Sequence, residues 1–112
     1  MRVYLDDERE APEGWVRVRT AAEAIAKLRT GQVDEISLDN DLGAEEVCGT
    51  GYGVICWIET MTATVRDFTP PEIHIHTANP VAREKMLAAR RKIYKELANR
   101  LAAAIAGSSS SI

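Results

Sequence analysis

Long apolar runs are missing from this chain. None approaches the roughly 20 residues that a membrane-spanning helix needs, so no membrane role is expected. A basic surplus is missing as well. Lys and Arg number 14 against 17 Asp and Glu, a net charge of −3, which argues against a broad surface for duplex DNA and leaves room only for a local patch. Cysteine occurs twice. Cys48 and Cys56 lack companion ligands at zinc spacing, so they read as incidental free thiols of a cytoplasmic protein. Met1-Arg2-Val3-Tyr4 runs straight into acids, unlike a secretory leader. No segment repeats. What is present is 112 residues, 46% hydrophobic and 28% charged, a size and balance suited to one globular domain with one core.

Arg2-Val3-Tyr4-Leu5 is a short β-prone run that stops at Asp6-Asp7-Glu8. Pro12 and Gly14 mark the following segment as a loop. Trp15 through Arg19 alternates apolar and basic residues, the pattern of a half-exposed strand near a sheet edge. Thr20 and Glu23 form a capping box that opens a helix. Its apolar stripe is Ala21, Ile25 and Leu28, and Gly31 is its stop. Glu35 to Leu38 is the next strand, ending at Asp39. Residues 41–53 carry four glycines and are expected to form an irregular loop. Val54, Ile58, Met61 and Val65 then mark an amphipathic helix that Pro70-Pro71 interrupts. Glu72 to Thr77 is a strand with isoleucines on one face and His74 and His76 on the other. Asn79-Pro80 caps a long final helix with a seam of Met86, Ile93, Leu97, Leu101 and Ala104 or Ile105. Gly107 is expected to stop it, giving a domain over residues 1–106 and a disordered tail over 107–112.

Strands alternating with helices predict an α/β fold: a small doubly wound sheet of about four mostly parallel strands with helices on both faces. Ligands of such sheets bind beyond the carboxyl ends of the strands. That rule gathers Asp6, Asp7, Asp39, Asp41, His76 and Thr77. Carboxylates brought so close repel one another unless a hard cation joins them, and magnesium or manganese is the expected cofactor. His76 is positioned as a general acid or base, whereas His74 is expected to be a buried, hydrogen-bonded side chain. The amides that open the final helix, with Thr77 and Asn79, offer a phosphate site, and Arg9 can meet an anionic substrate. Gly49-Thr50-Gly51-Tyr52-Gly53 fits neither a P-loop nor a dinucleotide fingerprint.

The acidic pair after the first strand, the Asp ending the third and the Thr ending the fourth resemble two-component receiver domains. No fifth strand ends in that family's lysine, since Lys85, Lys92 and Lys95 all fall in the final helix, so phosphorelay is not expected. A closer resemblance is to cyclic-phosphate processing receiver domains. It rests on Leu5-Asp6-Asp7-Glu8-Arg9, Pro12-Glu13-Gly14-Trp15, Ser37 through Gly43, Gly49 through Tyr52, Trp57-Ile58-Glu59 and His76-Thr77-Ala78-Asn79-Pro80. The resemblance implies a receiver-like fold without the last receiver strand. It also implies metal-dependent hydrolysis or processing of a cyclic phosphate on a nucleotide or RNA end. Asp6, Asp7 and Asp39 would hold the metal, Asp39 and His76 would be catalytic, and Arg9, Thr77 and Asn79 would bind substrate. Two positions depart from the family: Asn40 stands where histidine is usual, and Gly53 where an acid is common. They motivate an alternative, a catalytically blunted binding or self-assembly module. The final helix, rich in Ala, Leu, Lys and Glu, offers a surface for a homo-oligomer, and its composition would also suit an engineered segment.

Overall fold

A computed structural model describes residues 1–110, with only the backbone described for the last three. Four strands, β1 (Arg2–Leu5), β2 (Val16–Val18), β3 (Glu35–Leu38) and β4 (Glu72–Ile75), form one all-parallel sheet in the order β2-β1-β3-β4. Helices α1 (Ala21–Leu28), α2 (Glu45–Cys48), α3 (Gly51–Thr64) and α4 (Pro80–Ser110) follow β2, β3 and β4 in the chain. The four parallel strands and their helices make a receiver-like α/β fold, as expected. No helix among the described residues is long and apolar enough to cross a membrane.

Period-2 alternation decides how the layers form. Val3, Leu5, Ile36, Leu38 and Ile73 are fully or nearly fully buried, and they share a single core with Ala24 and Leu28 of α1, Val54, Ile55 and Ile58 of α3, and Met86 and Ile93 of α4. Each fully buried Ile or Leu stabilises by about 1.5–3 kcal/mol, and a one-residue slip of any strand would forfeit several at once. The intervening positions Arg2, Tyr4, Glu35, Ser37, Glu72 and His74 point to the other face. There Arg2 approaches Glu35, His74 meets both glutamates, Trp15 meets Tyr4 and His74 edge-on, and Ser37 bonds His76. The expectation of helices on both faces is therefore corrected: the core side chains of all three long helices lie on one face, and the second face is polar and aromatic.

Three boundaries also differ. The loop expected over 41–53 contains α2, and α3 begins at Gly51 because the Thr50 hydroxyl accepts the Gly53 amide at 3.0 Å. Regular β4 ends at Ile75, although the His76 amide still donates to the Leu38 carbonyl at 3.0 Å. Helix α4 passes through Gly107 to Ser110, since Gly107 lacks the positive φ that turns the chain out of α1 at Gly31 (φ +73°). Only the last two residues of the expected tail lie outside the described ones.

Helix α4 also closes the outer edge of the sheet. The Ile73 amide donates to the Tyr94 hydroxyl at 2.8 Å, while Arg90 and Arg83 donate to the Ile73 and Ile75 carbonyls at 3.1 and 3.3 Å. An edge strand whose backbone groups are taken by side chains cannot recruit a further strand. Tyr94→Phe leaves a partly buried amide without its partner and is expected to cost about 1–3 kcal/mol, read as a lower denaturant midpoint.

Candidate metal and phosphate site

Three side chains from three neighbouring strands meet just beyond the strand ends. Asp6, 1% exposed, follows β1, Asp39 follows β3 and His76 follows β4. One ligand atom from each falls within 4.8 Å of the others. Oδ1 of Asp6 accepts the amides of Glu8 and Arg9 at 2.9 and 2.8 Å, an Asx-turn arrangement that fixes the carboxylate. Its Oδ2 lies 3.0 Å from Nε2 of His76. Nδ1 of the same ring is 2.7 Å from the Ser37 hydroxyl. The ring stacks on Tyr4 with centroids 4.4 Å apart and planes within 4° of parallel. Ser37, His76 and Asp6 thus form a hydrogen-bonded chain, with the Ser37 hydroxyl donating to Nδ1 when Nε2 carries the proton that Asp6 accepts. Oδ1 of Asp39 accepts the Asn40 amide at 2.8 Å.

The electrostatics favour a charged Asp6 beside a neutral His76. Burial works against charge on Asp6, yet the amides of Arg9 and Glu8 and the His76 ring together hold its pKa below the usual 3.8. Burial likewise lowers the His76 pKa below 6.5, outweighing the pull of Asp6 and Asp39 and aided by Arg9. Both shifts give the same sign of linkage. As pH falls through 6.5 the unfolded chain takes up a proton at His76 that the folded chain resists, and the Asp6 contribution is lost only below 3.8. The thermal midpoint is expected to fall from pH 6.5 downwards, and His76→Gln should remove the upper part of that slope.

A pocket of about 200 Å³ lies between the first turns of α3 and α4, lined by Asn40, Thr50, Tyr52, Asn79, Ala82 and Lys85. Asn79 caps α4, its Oδ1 accepting the Ala82 amide at 3.1 Å, and its own amide donates to the Thr77 hydroxyl at 3.2 Å. Nδ2 of Asn79 reaches Asp41 at 3.4 Å. The Lys85 ammonium sits over the Tyr52 ring, 5.7 Å from its centroid. Two helix N-termini and the Lys85 ammonium give this pocket positive groups, set against the Glu45 carboxylate that also lines it.

The structure brings together Asp6, Asp39, His76 and Arg9, whose guanidinium donates to the His76 carbonyl at 3.2 Å. Thr77 and Asn79 instead shape the start of α4 at the adjoining pocket. Asp7 is not in the three-residue group, because the turn that accepts the Glu8 and Arg9 amides uses Asp6 alone. His74, expected to be buried, has a half-exposed side chain beside Glu35. Asn40 is buried, its Oδ1 accepting the Tyr52 amide at 3.0 Å and its Nδ2 donating to Asp41 at 3.2 Å, so it fastens the β3 loop to α3. Sequence reasoning missed two residues. Ser37 carried a signal, since a residue two before Asp39 on an alternating strand shares its face with the histidines. Lys85 also carried one, because long helical side chains lean back towards the helix N-terminus, here the pocket.

Comparison with curated proteins and with solved structures finds no match. The family model described as the cyclic-phosphate processing receiver domain matches residues 1–92, a span that includes all four strands, the three converging side chains and Lys85. The chain therefore belongs to the cyclic-phosphate processing receiver domain family.

Proposed function

We propose that the protein is a cytoplasmic, divalent-metal-dependent hydrolase that processes a cyclic phosphate on a nucleotide or RNA end. The observation that carries this reading is the convergence of Asp6, Asp39 and His76 next to the pocket walled by Lys85 and two helix N-termini. The donor set suits a divalent ion: two carboxylates of which one is held ionised in a buried position, and one imidazole. Hard oxygens favour magnesium or manganese, and the nitrogen tilts the choice towards manganese. A bound ion would supply Lewis-acid polarisation of the phosphoryl group.

The chain's own residues do the rest. Lys85 and the Val81 amide bind phosphate oxygens, the Ala82 and Arg83 amides being already donated to Asn79, and Arg9 adds a guanidinium donor near His76. His76, backed by Ser37 and stacked on Tyr4, would offer Nε2 to the ion as a neutral imidazole while its Nδ1–H donates to the Ser37 hydroxyl. The test is turnover of 2′,3′-cyclic nucleotides and of RNA oligomers ending in a cyclic phosphate, with manganese or magnesium added and then removed by chelation. Metal-dependent ring opening is expected. Absence of turnover on every such substrate would sink the proposal.

A non-catalytic reading has one observation in its favour. Asn40 is held by Tyr52 and Asp41 and offers no group that can gain or lose a proton at the position where the family usually has histidine. Under that reading the domain binds phosphorylated ligands without turnover or assembles through α4, where Leu101 and Ile105 are exposed. Calorimetry that detects nucleotide binding without product, or a mass that rises with concentration in light scattering, would favour it.

A further inference from the structure

The uncovered face of the sheet carries a second cluster of donors that takes no part in the chemistry above. Glu35 opens β3, Glu72 opens β4, and the two are direct partners in the parallel register. Like charges placed side by side on one face repel unless a cation lies between them. His74 stands two residues further along β4. Both carboxylates converge on its Nε2, with Glu35 Oε2 at 3.2 Å and Glu72 Oε1 at 3.9 Å. Ligand atoms of all three fall within 4.8 Å of one another.

We infer that Glu35, Glu72 and His74 form a second divalent-metal site, of the kind that takes zinc or nickel, on the open face of the sheet. Donors held about 2.0–2.2 Å from one ion stand roughly 3–3.5 Å from each other. The Glu35–His74 separation already meets that spacing. Glu72 Oε1, on a side chain 62% exposed, stands 3.9 Å from the same nitrogen and has to move inward towards both partners. Arg2 approaches Glu35 at the other oxygen, Oε1, at 3.8 Å, which leaves Oε2 facing the imidazole. Two carboxylates balance the charge of one divalent ion, and the imidazole turns preference away from magnesium and calcium towards zinc and nickel. Water can complete the coordination, because this face is open.

The site is separate from the one at the strand ends. His74 lies on β4 and His76 just beyond its end, two residues apart and about 6.6 Å by strand rise. Paired metals that share a substrate stand about 3.5–4 Å apart, so the two clusters act independently. The inference does not rest on the proposed hydrolysis.

Trp15 supplies the readout. Its ring meets His74 edge-on at 6.1 Å, within reach of quenching by a paramagnetic ion, and Trp57, packed against Phe68, contributes a background. The experiment titrates nickel into the full chain carrying Asp39→Asn, which weakens the strand-end cluster. A saturable loss of emission at one nickel per chain is expected, with the midpoint at least tenfold weaker when His74→Gln is added. Glu72→Gln, a change at an exposed side chain that leaves the core untouched, should weaken it as well, and nickel should raise the thermal midpoint only while His74 and Glu72 are both present. Quenching that never saturates, or a midpoint unmoved by both substitutions, overturns the inference. Turnover of cyclic phosphates by the unaltered chain tests the other site, so the two failures are distinguishable.

Discussion

Asp39→Asn is expected to lower turnover of a 2′,3′-cyclic nucleotide by about 10²–10³-fold, the loss of roughly 2.7–4 kcal/mol that accompanies removal of one preorganised electrostatic group. The substitution keeps size and shape. The amide oxygen can still accept the Asn40 N–H that Oδ1 accepts at 2.8 Å, so the β3 loop keeps its path. What disappears is one of the two carboxylate charges that face His76 across the strand ends. Removing a like charge beside the buried Asp6 also relieves repulsion, so the thermal midpoint should stay level or rise. Activity falling while stability holds is the signature to be measured by kcat/KM and thermal denaturation on one preparation. Turnover kept within threefold would remove Asp39 from the machinery.

Gly51→Ala acts on the same loop through the backbone and should cost about 3–5 kcal/mol of stability. A Cβ at Gly51 would stand 1.8 Å from the Asp39 carbonyl oxygen and 2.8 Å from its carbon. No rotamer relieves that overlap, because both sides are backbone. Either the first turn of α3 withdraws, breaking the Gly51 amide bond to the Asn40 carbonyl, or Asp39 shifts away from Asp6 and His76. The matching change two residues on provides the control. A Cβ at Gly53 meets only the Thr50 hydroxyl at 3.4 Å, so Gly53→Ala should stabilise α3 by roughly 0.5–1 kcal/mol through helix propensity. The same substitution of opposite sign at neighbouring glycines is read directly from denaturant midpoints.

Much of this architecture is legible in the chain, and the rest fails for identifiable reasons. The Thr20 and Glu23 box and the Asn79-Pro80 start act within one helical turn, and the structure has both caps where local chemistry puts them. The start of α3 was hidden because glycines at 51 and 53 suppress every helical signal, while the need for Gly51 comes from a long-range contact with Asp39. One-sided covering of the sheet was visible but misread. Strands buried on both faces are continuously apolar, whereas Arg2-Val3-Tyr4-Leu5, Glu35-Ile36-Ser37-Leu38 and Glu72-Ile73-His74-Ile75 all alternate. Within the candidate site, strand-end position located Asp6, Asp39 and His76. It could not separate Asp6 from Asp7, since the choice depends on a turn whose amides only the folded chain aligns.

The strand order also fixes when this site comes into being. β1 lies inside the sheet, between β2 and β3, yet it is the first strand to be synthesised. Asp6 leaves the ribosome long before Asp39, and both precede His76, so no nascent chain ending before β4 holds all three. Nor does the sheet have its outer edge closed until Tyr94 and Arg90 have followed. The three groups therefore come together only once β4 has joined β3. Any ion that binds all three selects the finished fold, and its binding free energy adds to the stability of the whole domain as RT ln(1 + [L]/Kd).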